Sequence, residues 1–327
     1  MPEEPARVGV LEVGCSSAHL VVVDGGAGSL LGPVLSRTVL LGLDETIGTS
    51  GDVSGSGMDR IAAVVEEARE ATRRLQVSTF VPYVTSMIRD AANVDEVADH
   101  VTTRAGVDLR VFTRRQEAEL GYLAARDWFG WSAGTLAVLD VGGGAIELAM
   151  GDAAVPLCVL SLPPVTRLQG SGRGSRSKQL RRSVAELADV IATTVHDDKP
   201  FGGGIHAVTC AKAFRPCARF AVARSHRDRP FAPRRLSAAD LAEWTARIAS
   251  ELGKSRAVPR HHAHDALMGA IAVQALVKAT GHGVVDVCPW STREGLLLTL
   301  LRLHRYDATC GLAVRPGGGL ATGSAGA

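Results

Sequence analysis

Two carboxylates flanking a bare turn are the first residues of this sequence that could do chemistry. In Leu136-Ala-Val-Leu-Asp-Val-Gly-Gly-Gly-Ala-Ile-Glu-Leu148 an apolar run closes with Asp140, Gly142, Gly143 and Gly144 follow, and a second apolar run opens around Glu147. Consecutive glycines leave main-chain N–H groups unshielded by any Cβ, and a concave nest of such groups suits phosphate oxygens. The flanking carboxylates repel phosphate unless a cation or a water lies between, so the combination points to a metal-assisted phosphate site. Taken alone, the stretch reads equally well as a plain hairpin whose glycines satisfy the turn.

A second copy shifts that balance. Val10-Leu-Glu-Val-Gly-Cys-Ser-Ser-Ala-His-Leu20 overlays Val138 to Leu148 without a gap at a constant offset of 128 residues. Val10, Leu11, Val13, Gly14 and Leu20 meet identical partners, and Glu12 falls on Asp140. One such hairpin opening each half implies an internal duplication rather than a solenoid, whose period would be about 20 to 50 residues. Each half is then an α/β unit, with the two turns facing each other across a cleft.

The elements that must hold these residues follow from periodicity and punctuation. Paired strands are expected over 8–13 and 18–23, a third over 36–41, and an amphipathic helix over 59–75. A strand over 79–85 leads into a helix start at Ser86 that carries Arg89 close to the strand's C-terminal end, where open α/β sheets bind ligands. A helix over 94–105 and a strand over 109–112 precede a helix over 116–128. Glu117 lies on the first turn of that helix, where a carboxylate ordinarily does no more than complement the dipole. Beyond the Asp140 hairpin the pattern gives strands over 156–162, 205–210 and 284–287, and helices over 179–195, 238–252, 264–280 and 291–304. The Pro- and Arg-rich stretch 215–235 reads as irregular in its later part. Domains are expected over 1–128 and 129–306, with a disordered tail over 307–327.

Composition narrows the class. Of 327 residues, 46% are hydrophobic and 21% charged, ordinary for a folded α/β protein. No apolar run approaches the roughly 18 residues of a membrane span, and Met1-Pro-Glu-Glu-Pro lacks the basic start and apolar core of a signal peptide, so a cytoplasmic protein is expected. The six cysteines show no metal-site spacing and read as reduced thiols. Between Arg173 and Arg235, 14 Lys and Arg face 5 Asp and Glu, which reads as solvated surface before it reads as a face for an acidic partner. Aromatics make up only 4%, so Trp128, Phe129 and Trp131 read as packing rather than a platform for bases, and no nucleic-acid partner is expected. The absence of Gly-x-x-x-x-Gly-Lys-Ser/Thr removes the P-loop mechanism. His261, His262 and His264 invite a metal but read better as a helix-start cluster.

Four motifs taken together resemble one family. Asp140-Val-Gly-Gly-Gly-Ala-Ile-Glu147, Thr85-Ser-Met-Ile-Arg-Asp-Ala-Ala-Asn93, Gln116-Glu-Ala-Glu-Leu120 and Arg293-Glu-Gly-Leu-Leu297 occur in the order found in the exopolyphosphatase and guanosine pentaphosphate phosphohydrolase (Ppx/GppA) family. The resemblance runs from about Val8 to His304. It implies two duplicated domains of the actin-like ATPase (ribonuclease H-like) fold with an interdomain cleft, in the short form without an appended phosphohydrolase domain. It also implies metal-dependent release of terminal phosphate from inorganic polyphosphate, with guanosine pentaphosphate as a further candidate substrate. Carried over residue by residue, Glu117 would be the general base and Arg89 would lie by the transferred phosphoryl group. Asp140 and Glu147, with Glu12, would hold Mg²⁺ or Mn²⁺. Gly14, Cys15, Ser16 and Ser17 would form the first phosphate loop, and Gly142, Gly143 and Gly144 the second. The resemblance also points to a homodimer, with no interface legible in the sequence.

Two departures open an alternative. The family's Asp-x-Gly-Ser-Asn-Ser/Thr is here Glu12-Val-Gly-Cys-Ser-Ser17, and Ala145 stands where serine is usual. Loss of one donor to a developing oxyanion costs roughly 10²-fold or more. The alternative is therefore a catalytically impaired regulatory protein that binds polyphosphate or an alarmone. A sugar kinase of the same fold would need an adenosine pocket, for which no Gly-Gly signature is found.

Overall fold

A computed structural model describes residues 6–25, 30–43, 51–142, 145–162, 176–197, 204–210, 234–251, 260–281 and 283–310. The first half opens with β1 (Arg7–Val13) and β2 (Ser17–Asp24), antiparallel, with Glu12 opposite His19. Their alternating Val and Leu residues are buried on both faces of the sheet, which is why these runs are almost continuously apolar. β3 (Leu35–Leu40) adds antiparallel to β2, while β4 (Thr79–Val84) and β5 (Arg110–Val111) add in parallel on the other side of β1. The resulting order is β3-β2-β1-β4-β5.

α1 (Gly55–Arg74) starts at Ser54, whose side chain accepts from the Gly57 N–H, four residues earlier than the apolar periodicity indicates. Its Ile61, Val65 and Ala68 pack with α3 (Val94–Ala105) on one face of this sheet. Between β4 and α3, the single turn α2 (Ser86–Arg89) presents Arg89 at the strand's C-terminal end.

The second half repeats the plan. β6 (Thr135–Gly142) and β7 (Ala145–Gly151) form an antiparallel hairpin, β8 (Cys158–Leu162) flanks β7, and β9 (Ile205–Thr209) and β11 (Val284–Val287) continue in parallel from β6. β10 (Arg234–Ser237) closes that edge antiparallel to β11, so the order is β10-β11-β9-β6-β7-β8. Apart from β10, each strand has a counterpart of the same relative direction in the first sheet. The Asp140–Glu147 cross-strand pair stands where Glu12 and His19 stand in the first hairpin. The duplication seen in two short motifs thus extends to both sheets. β10 corrects the reading of 215–235 as irregular up to Arg235, because pairing with β11 imposes an extended backbone on an Arg-rich run. α5 (Arg176–Asp197), α6 (Ala238–Glu251) and α7 (Arg260–Thr280) cover one face of this sheet. α7 begins at Arg260, four residues before the expected start at His264, so His261, His262 and His264 lie in its opening turns.

Two helices lie between the sheets. α4 (Arg114–Phe129) begins with a capping box: the Thr113 side chain accepts from the Gln116 N–H and the Gln116 side chain accepts from the Thr113 N–H. Its Ala118, Tyr122 and Ala125 pack on Leu136, Val138 and Ala149 of the second sheet. α8 (Thr292–Cys310) follows the second sheet in the chain, yet its Leu296, Leu297, Leu300 and Leu301 pack on Val8, Val10, Val21 and Val23 of the first. The chain therefore returns to its first half, with a helix from the 129–306 segment packed on the first sheet. An apolar stripe specifies a helix but does not say which sheet it covers. α4 and α8 touch so closely that a Cβ at Gly295 would sit 2.0 Å from the Leu120 carbonyl oxygen.

Trp128 stacks edge-on against Trp290 at 5.2 Å and Phe129 against His206 at 5.0 Å, as packing residues should. Trp131 differs: it is 67% exposed, on a 3₁₀ turn after Gly130 at φ +74°. No helix among the described residues is long and apolar enough to cross a membrane, and Cys15, Cys158, Cys210 and Cys288 are free thiols. Gly143, Gly144 and the tail from Gly311 lie outside the described residues.

Candidate active site

α4's first turn brings Glu117 to Arg89 of α2. The Arg89 Nη1 donates to Glu117 Oε2 in a short ion pair, and both side chains are largely enclosed, 5% and 12% exposed. The Arg89 Nε donates to Asp90 Oδ1 at 2.9 Å, and Arg114 Nη2 donates to Asp90 Oδ2 at 2.8 Å. Asp140 and Glu147 approach from the second half on adjacent strands. Glu147 is buried, and its Oε1 has no hydrogen-bond partner.

The electrostatics follow from this crowding. Burial raises the Glu117 carboxyl to about 8; Arg89 opposes the rise, and the Asp140 and Glu147 charges add to it. Burial likewise raises Glu147 to about 7, reinforced by Asp140 and opposed by Arg89 and Arg114. Residues from both halves therefore feel one another across the cleft. Such values suit proton transfer near neutral pH, and strongly perturbed carboxylates in a cleft mark candidate functional groups.

A buried carboxylate oxygen without a partner, beside a second acid, is a fitting place for a hard cation with oxygen ligands. Asp140 and Glu147 would supply protein oxygens, leaving the remaining positions to water and phosphate, as Mg²⁺ prefers. No group of three His, Cys, Asp or Glu side chains able to hold a metal occurs among the described residues. Glu12 is engaged elsewhere, since its Oε2 accepts from Arg293 Nη1 at 3.2 Å.

That engagement brings in residues the sequence pattern did not single out as site residues. Arg293 is buried, donates to Glu294 Oε1 from Nη2 at 2.5 Å, and donates from Nη1 to His19 Nδ1 at 2.7 Å. A guanidinium only donates, so Nδ1 accepts; the ring proton lies on Nε2, which donates to Ser36 Oγ at 2.9 Å. Glu294 also accepts from the Ser291 N–H at 2.8 Å, so one carboxylate caps α8 and fixes Arg293. The Tyr83 hydroxyl lies buried beside this group without a partner. The offset of 128 residues was the available signal for His19, which stands in register with Glu147.

The first turn is tied to its surroundings. Gly14 N donates to Ser17 O at 3.0 Å, Leu41 N to Ser16 O at 2.9 Å and Leu43 N to Cys15 O at 2.7 Å. Gly14 has reason to be glycine: an added Cβ would lie 3.3 Å from Thr85 Oγ1. Of the second turn, Gly142 pairs with Ala145, while Gly143 and Gly144 are outside the described residues.

The raised acids give a stability prediction. Between about pH 4.5 and 7 the folded protein keeps the Glu147 proton that the unfolded chain has lost, so stability is full below that window and falls as pH rises through it. Glu147→Gln is therefore expected to stabilise the metal-free protein at pH 8 by roughly 1 to 3 kcal/mol, a few pKa units being worth about that much. Thermal melts in chelator from pH 5 to 8 check this; equal melting of wild type and variant at pH 8 would contradict the burial effect.

Comparison with known proteins agrees with this geometry. The two mixed sheets with an intervening cleft are the duplicated domains of an actin-like ATPase fold, shared with the Aquifex aeolicus member of the Ppx/GppA family (TM-score 0.73, 21% identity, 91% of this chain and 98% of that one). An exopolyphosphatase from Cytophaga hutchinsonii is equally similar in fold (TM-score 0.73, 19% identity, 90% of this chain and 98% of that one). Residues 21–304 match the Ppx/GppA phosphatase family, and the chain belongs to it. Among curated relatives, Exopolyphosphatase 1 of Mycobacterium leprae is 33% identical over 312 residues, covering 90% of this chain and 89% of that protein. Exopolyphosphatase 1 of Mycobacterium tuberculosis is 32% identical over 308 residues, covering 90% and 88%.

Proposed function

We propose that this protein is a phosphohydrolase that releases terminal phosphate from inorganic polyphosphate with Mg²⁺ or Mn²⁺, and that guanosine pentaphosphate is its second candidate substrate. The observation that carries this reading is Glu117: a nearly enclosed carboxylate, paired with Arg89, within electrostatic reach of Asp140 and Glu147 of the other half. The family and the exopolyphosphatase relatives support the substrate class.

Glu117 takes the proton of a water whose oxygen attacks the terminal phosphorus; the bond from phosphorus to the bridging oxygen breaks, and the shortened chain leaves with that bond's electrons. Arg89 is placed to steady the phosphoryl oxygens, which carry most of the charge in such transfers. Its pairing with Asp90 keeps the guanidinium oriented before substrate arrives. On the family resemblance, the turns at Gly14 to Ser17 and Gly142 to Gly144 would receive phosphate oxygens. A divalent cation on Asp140 and Glu147 would neutralise phosphoryl charge and favour ionisation of water.

The altered first turn, with Cys15 and Ser16, motivates the other reading, a protein that binds polyphosphate or an alarmone without turnover. Phosphate release measured over a ladder of polyphosphate lengths, with guanosine pentaphosphate and ATP alongside and each metal in turn, decides between them. Release that depends on metal is the expected result. Binding by calorimetry without release favours the regulatory protein, and ATP-dependent phosphorylation of a small molecule would point to a kinase instead.

A further inference from the structure

Resting on the phosphohydrolase reading, we propose that Arg114 is a substrate-binding residue that holds the second phosphoryl group of a linear phosphoanhydride chain, with Asp90 setting its spacing from Arg89. The cleft gathers the carboxylates of Asp90, Glu117, Asp140 and Glu147, so a polyanion entering it needs cations that are still able to donate. Arg293 is buried and spends its donors on Glu12, His19 and Glu294. Arg89 is 5% exposed and divided between Glu117 and Asp90. Arg115 turns away along its helix to Glu119 at 2.8 Å.

Arg114 differs from all three. Its side chain is 42% exposed and, among the described residues, engages Asp90 through Nη2 alone, at 2.8 Å. The rest of its fork remains available for the paired hydrogen bonds a guanidinium makes to phosphate. It also lies close enough to Glu147, across the cleft, to act on that carboxyl.

Position supplies an independent argument. Arg114 is the first residue of α4, where a cation opposes the helix dipole and a carboxylate would be preferred. The helix dipole gives no reason for arginine there and its half-exposed pair with Asp90 only a small one, whereas an anion at that end of the helix meets both the dipole and the side chain. Asp90 Oδ2 accepts from Arg114 at 2.8 Å and from Arg89 Nη2 at 3.3 Å. One carboxylate oxygen thus separates the two guanidinium groups, a spacing suited to successive phosphoryl groups rather than to one.

The test compares Arg114→Ala and Arg114→Lys with wild type, using inorganic tripolyphosphate as substrate and orthophosphate as product inhibitor. Arg114→Ala is expected to raise KM for tripolyphosphate about tenfold, the worth of a hydrogen bond to a charged group. It should leave kcat, the melting temperature and the orthophosphate inhibition constant unchanged, and Arg114→Lys should recover part of the loss. A fall in kcat at constant KM would mean that Arg114 acts through Asp90 on Arg89, and an equal loss of orthophosphate affinity would mean a general charge effect; each overturns the proposal. Calorimetric titration of tripolyphosphate keeps the two ideas separate. Wild type that binds without releasing phosphate, with affinity lost in Arg114→Ala, sinks the hydrolase and keeps the clamp. Hydrolysis with unchanged KM and affinity in the variant does the reverse, and a wild type that neither binds nor hydrolyses tripolyphosphate removes both.

Discussion

Glu117→Gln is expected to lower polyphosphate turnover by roughly 10²- to 10⁴-fold, the range for losing a positioned general base. The amide keeps the size of the side chain and its place on the first turn of α4 but cannot take the proton from water. Affinity should persist or rise, because a negative charge near the polyanion is removed. A Glu117 that only complemented the helix dipole would give a different result: about 0.3 to 1 kcal/mol of stability lost and turnover nearly intact. The pH profile offers a second check. With burial raising the carboxyl to about 8, the deprotonated form that can take the proton accumulates as pH rises through that value. Turnover and affinity measured on one preparation separate the readings, and unchanged turnover in an active enzyme would remove Glu117 from the chemistry.

Gly295→Ala is expected to be the most damaging single methyl group in the described structure. Its Cβ would lie 2.0 Å from the Leu120 carbonyl oxygen, 2.7 Å from the carbonyl carbon and 3.1 Å from the Leu120 Cα. All three are backbone atoms of a helix, so no rotamer change relieves the clash and α4 must move away from α8. Overpacking of this kind costs about 1 to 3 kcal/mol, and more where backbone must shift. Because Glu117 lies one turn before Leu120, the displacement should reach the site, lowering kcat along with the melting temperature. Gly295→Ser should behave no better. A variant that melts and turns over like wild type would show that the helices have slack their packing does not reveal.

The hairpins and their duplication were legible because their signal is local: identical residues at identical spacing, apolar runs broken by glycine. Helix positions were legible for the same reason, as with Val94 to Ala105, where the periodicity and the structure coincide. Partners set by tertiary contact were not. Glu12 meets the guanidinium of Arg293, from which 281 positions separate it. Nothing in either neighbourhood announces that pair. β10 was hidden because strand formation there follows from the exposed edge of β11 rather than from β-branched residues of its own. Trp131 was expected inside by residue type, but Gly130 turns the chain outward and leaves the indole over Arg126, 5.7 Å from the ring centre to the guanidinium carbon.

The return of α8 to the first sheet has a consequence during synthesis. Val8, Val10, Val21 and Val23 leave the ribosome long before Leu296 to Leu301, which help to cover them. The first sheet therefore completes this core only when Leu296 to Leu301 are available, which works against finishing one domain before the next begins. Until then the nascent chain carries an uncovered valine surface, the kind of exposed patch that chaperones shield and that otherwise drives aggregation.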